Sequence, residues 1–92
     1  MSPILNKQQM QVLMNELYNM LEGKIDNTSQ IIKIPGLSSP IISVVYDTNH
    51  SINLICRETI NVIEINELHK RYPVKFCKST NGTNNSWKAI RF

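Results

Sequence analysis

The apolar pattern of this chain changes period once, at Gly23, and that change limits the fold more than any other feature. Before it, Met10, Leu13, Met14, Leu17 and Leu21 recur at the spacing of one helical stripe, with Gln8, Gln11, Asn15, Asn19 and Glu22 on the wet side. After it the helical period disappears and Ile/Val-rich runs take over. A lone amphipathic helix must bury its stripe on something, and the rest of the chain offers a sheet. The pattern predicts a single α+β domain over 1–92, a long N-terminal helix packed on a five- to six-stranded, mainly antiparallel sheet.

Local signals set the expected boundaries. Asn6 caps a helix over 6–22, Gln9 completes a capping box, Leu5 staples onto Met10, and Gly23 ends it. Gln30–Ile34 reads as a short strand stopped by Pro35-Gly36. Pro40–Tyr46 is apolar on both faces, which predicts a central strand covered on both sides. Asp47-Thr48-Asn49-His50 supplies turn chemistry. Ile52–Arg57 and Thr59–Ile65 alternate as strand partners around a tight turn at Glu58. Asn66–Tyr72 reads as a short capped helix halted by Pro73. Val74–Ser79 and Ser86–Phe92 form a last hairpin around Asn81-Gly82.

Charge is distributed unevenly. Residues 1–67 hold four Lys/Arg against seven Asp/Glu, net −3, whereas 68–92 hold six Lys/Arg and no acid, net +6. Concentrated positive potential suits an anionic partner. Thirteen Ile and eleven Asn stand against one Ala and three Gly, a choice of residues expected from an AT-rich genome such as that of a bacteriophage. No apolar run approaches the roughly 20 residues a membrane span needs. The N-terminus lacks the pattern of a signal peptide, so the expectation is a cytoplasmic protein with Cys56 and Cys77 reduced.

The basic residues concentrate around the last hairpin. Val74, Phe76 and Lys78 share one face of its first strand, and Lys75, Cys77 and Ser79 the other. In the second strand Ser86, Lys88, Ile90 and Phe92 alternate with Trp87, Ala89 and Arg91. Bases stack on aromatic rings while Lys and Arg neutralise phosphates. The candidate binding residues are therefore Lys70, Arg71, Lys75, Lys78, Trp87, Lys88 and Arg91. The expected partner is nucleic acid, RNA rather than DNA, or an acidic host protein surface; pairing of an edge strand with a second copy makes a homodimer a further possibility. The expected function is that of a small non-enzymatic binding protein, phage, viral or mobile-element in origin, whose basic aromatic-bearing hairpin engages nucleic acid or a nucleoprotein complex, with inhibition of a host defence protein by direct binding as the alternative.

A catalytic alternative rests on His69-Lys70-Arg71-Tyr72, which combines proton-transfer groups with cations for a phosphorane. In size, charge and composition the chain resembles small basic toxins that cut mRNA on the ribosome, although those usually begin with a strand. His50, Cys56, His69 and Cys77 lack the close pairs of a zinc site. No cofactor or metal is expected, because no nucleophile motif, phosphate-cradling loop or paired carboxylates appear.

Overall fold

The computed structural model describes residues 5–82 and 85–90, with Ile65 described by its backbone alone. One helix, α1 (Lys7–Gly23), precedes five strands: β1 (Thr28–Ile32), β2 (Ile41–Ser51), β3 (Leu54–Ile65), β4 (Leu68–Ser79) and β5 (Lys88–Ile90). All neighbours are antiparallel, in the order β1-β2-β3-β4-β5. The fold is thus the expected α+β arrangement of one helix on an antiparallel sheet.

The helix starts as its sequence predicts. Asn6 Oδ1 accepts from the Gln9 amide at 2.7 Å, and the Asn6 amide donates to Gln9 Oε1 at 3.0 Å. Gln9 also donates through Nε2 to the Pro35 carbonyl at 2.7 Å, tying the helix start to the loop after β1. The turn explains Gly36: its φ is +90°, which residues with a Cβ rarely adopt, and Gln9 Nε2 would lie 2.9 Å from an added Cβ. The buried stripe lies toward the other end, at Leu17, Met20 and Leu21, while Met10 is exposed. These side chains meet Ile32, Ile34, Ile41, Val45, Phe76 and Trp87 in one core.

Several local expectations are corrected. Asp47–His50 makes no turn; β2 runs on to Ser51, with a bulge between Val45 and Asp47 that absorbs the extra residue. The reversal falls at Ile52-Asn53. Glu58 is mid-strand, opposite both Asp47 and Lys75, so the two expected strands around it are one.

Asn66–Tyr72 is not a helix. Asn66 and Glu67 have φ of 50° and 67° and form a two-residue hairpin turn between β3 and β4. Two left-handed residues in succession match the twist of paired strands, and Asn tolerates that conformation. Pro73, expected to stop a helix, lies within β4. It is accommodated because β5 pairs only with Lys75–Cys77, leaving this part of β4 at a sheet edge among the described residues.

Two further expectations fail. Cys56 and Cys77 are not reduced thiols; the register sets them opposite each other with Cα atoms 4.1 Å apart, and they form a disulfide. Among the described residues the apolar run of β2 is covered on one face only. Ile41, Ser43 and Val45 are buried beneath α1, whereas Ile42 and Tyr46 point away from it and are exposed. A single helix cannot cover both sides of a sheet. The expected last strand begins at Lys88 rather than Ser86 and is described through Ile90; Arg91 and Phe92 lie outside the described residues. No helix among the described residues is long and apolar enough to cross a membrane.

Candidate interaction face of the sheet

Strand alternation sorts every side chain of the sheet to the α1 side or to an open side. On β3 the result inverts the usual preference. The inversion is confined to the middle of the strand: between Ile55 and Ile63, which pack on the core, Arg57, Thr59 and Asn61 face α1 and are buried, while Leu54, Ile60 and Val62 face the open side together with Glu58 and Glu64. Pairing extends the open row across the sheet. Ile31, Ile42 and Val62 lie side by side, as do Val44, Ile60 and Pro73. Ile31 is 62% exposed and Ile42 43%, values far above those of core aliphatics.

The inward polar residues are fully used. Ser43 Oγ donates to Asn61 Oδ1 at 2.6 Å, Asn61 Nδ2 donates to Thr59 Oγ1 at 3.2 Å, and Thr59 Oγ1 donates to the Val74 carbonyl at 2.8 Å. Arg57 supports the helix end. It donates to the carbonyls of Leu21 and Lys24, each at 2.5 Å, to Thr48 Oγ1 at 2.9 Å and to Asp26 Oδ1 at 3.2 Å. Those carbonyls have no helical partner of their own, and a cation there complements the helix dipole. The hydrogen bond from Thr48, followed by that from Arg57, holds the Asp26 carboxyl below its ordinary value of 3.8 despite an opposing desolvation contribution. Among the described residues no buried side-chain polar atom lacks a partner.

Six of the seven candidate binding residues divide among three environments, and the seventh lies outside the described residues. Lys78 and Trp87 lie on the α1 side and grip the helix: Lys78 Nζ donates to Glu22 Oε2 at 2.8 Å and Trp87 Nε1 donates to the same oxygen at 3.0 Å. The ammonium also sits 5.2 Å from the Trp87 ring centroid, a cation–π geometry. The Lys78 hydrogen bond, then that of Trp87, holds the Glu22 carboxyl below its ordinary 4.5. Trp87 is buried, as is Phe76. Arg71, Lys75 and Lys88 lie on the open side, opposite Val62, Glu58 and Cys77 respectively, and bring positive charge to the β4–β5 half of that face. Lys70 is exposed with the opposite parity, and Arg91 lies outside the described residues.

The cluster His69-Lys70-Arg71-Tyr72 is in a strand, so His69 and Arg71 point to one face and Lys70 and Tyr72 to the other. His69 Nε2 lies 3.4 Å from Glu64 Oε1, across the exposed end of the β3–β4 hairpin. Among the described residues no three His, Cys, Asp or Glu side chains converge as metal ligands. Reading from sequence missed the apolar half of the open face, because Ile42, Val44, Ile60 and Val62 look like core residues until the sheet has a known covered side. Comparison with family models, with curated proteins and with solved structures returned no match.

Proposed function

We propose that this chain is a small non-enzymatic binding protein that docks a partner protein on the open face of its sheet. The inversion of β3 carries this reading: Arg57, Thr59 and Asn61 are buried while Ile60 and Val62 face outward beside the exposed Ile31 and Ile42. A contiguous apolar sheet face on a small domain marks an interaction site. Arg71, Lys75 and Lys88 along one margin specify the rest of the partner's chemistry, an apolar ridge flanked by carboxylates. On this reading the domain acts by occupying a surface of a host protein, and a composition expected from an AT-rich genome, as in many phages, is in keeping with that role.

The geometry supports protein rather than nucleic acid. Trp87 and Phe76, the aromatics on which bases were expected to stack, are buried in the core, and Lys78 is engaged with Glu22. Affinity capture from host extract with and without nuclease tests the proposal. The expected result is a stoichiometric protein complex that survives nuclease and is lost with Ile42→Asp at unchanged helix and sheet content. A complex that vanishes on nuclease treatment, or that persists with Ile42→Asp, overturns it.

A further inference from the structure

On the side of β4 away from β3, Leu68–Tyr72 meets no strand among the described residues, because β5 pairs only with Lys75, Phe76 and Cys77. An open edge offers a row of backbone donors and acceptors to another strand. Two other features adjoin this one. On the α1 side an apolar groove of about 230 Å³ is lined by Leu13, Met14, Ile63, Tyr72, Val74 and Ala89, among others. Lys70 and Arg71 project from the edge strand itself, both exposed and neither ion-paired with a described residue.

We propose that this edge receives an extended segment of another protein, with aliphatic side chains toward α1 and carboxylates toward the open side. The pattern follows from strand alternation. Residues of the added strand beside Tyr72 point to the groove side, and those opposite Arg71 point to the open side, where directly opposed side chains approach to roughly 5 Å. The backbone supplies hydrogen bonds, the groove takes the aliphatic groups, and Arg71 selects acid. A second copy of this chain is the wrong occupant. Centred on this stretch, a two-fold antiparallel pairing of two such edges sets Lys70 against Lys70 or Arg71 against Arg71, according to register, and like charges directly opposed are unfavourable. Pro73 removes one backbone donor, which confines the pairing to the stretch before it.

This site shares Arg71 with the open face but does not rest on the apolar patch around Ile42, which the Ile42→Asp variant distinguishes. The test titrates the whole protein with a capped octapeptide of alternating Glu and Val while following backbone amides by NMR. Saturable binding is expected to shift the amides of Leu68–Tyr72. N-methylation of alternate peptide amides abolishes the binding, Arg71→Glu weakens it roughly tenfold or more, and Ile42→Asp leaves it unchanged. Absence of saturable binding overturns the proposal. So does undiminished binding of the N-methylated peptide, or a set of shifts confined to Ile42, Val44 and Ile60.

Discussion

At the residue scale, Arg57 is the side chain on which the junction of helix and sheet depends. Its buried guanidinium caps two helix carbonyls and joins Thr48 to Asp26. Arg57→Ala leaves those acceptors without their charged donor, and urea unfolding at neutral pH is expected to show a loss of about 2–4 kcal/mol. Arg57→Lys recovers only part of that, since one ammonium cannot span the four acceptors. The carboxylates Asp26 and Glu22 give the junction a pH dependence. Both have folded-state values below their ordinary 3.8 and 4.5, so their contribution is fully present above that range. It is lost as pH falls through the lowered folded values. Acid titration of the melting temperature should show a decline beginning near pH 4–5 that is shallower in Asp26→Asn. Arg57 shows where residue-level reading stops: the alternation of Ile52–Arg57 was legible, but a polar row of Arg57, Thr59 and Asn61 carries no mark that it faces a helix.

At the element scale, signals complete within a few residues were readable, and those requiring a partner strand were not. The capping box of α1 is of the first kind, with both halves present as expected. Asn66-Glu67 is of the second. The same residues serve as a helix cap or as a hairpin turn, and pairing between β3 and β4 along their whole length decides for the turn. Glu67 therefore sits at φ 67° at a cost that Gly does not bear. Glu67→Gly should raise stability by about 0.5–1 kcal/mol in thermal melts, because Asn-Gly is the favoured pair in such turns. A helix at this position predicts the opposite sign. The disulfide is also a matter of register, since nothing in the separation of 21 residues announces that Cys56 faces Cys77. Reduction is expected to lower stability by about 2–3 kcal/mol, which a reductant-dependent shift in the urea midpoint measures.

At the scale of the whole molecule, the uneven charge of the sequence becomes a geometry. Lys78 belongs to the clamp on α1, whereas Arg71, Lys75 and Lys88 line the margin of an apolar sheet face. The periodicity of the chain revealed that a helix would lie on a sheet, but not which face it would leave open. That choice depends on the polar network beneath α1, which fixes the side of β3 that the helix covers and so leaves Ile60 and Val62 outside. The open face is the docking site we propose for a protein partner. Its most direct measurement is the affinity of the purified, nuclease-treated partner for the wild type, for Ile42→Asp, and for Gln11→Asp on the exposed side of α1. Ile42→Asp is expected to lose about 2 kcal/mol or more, some thirtyfold in Kd, and Gln11→Asp to keep wild-type affinity. Equal affinity for all three proteins contradicts the proposed site.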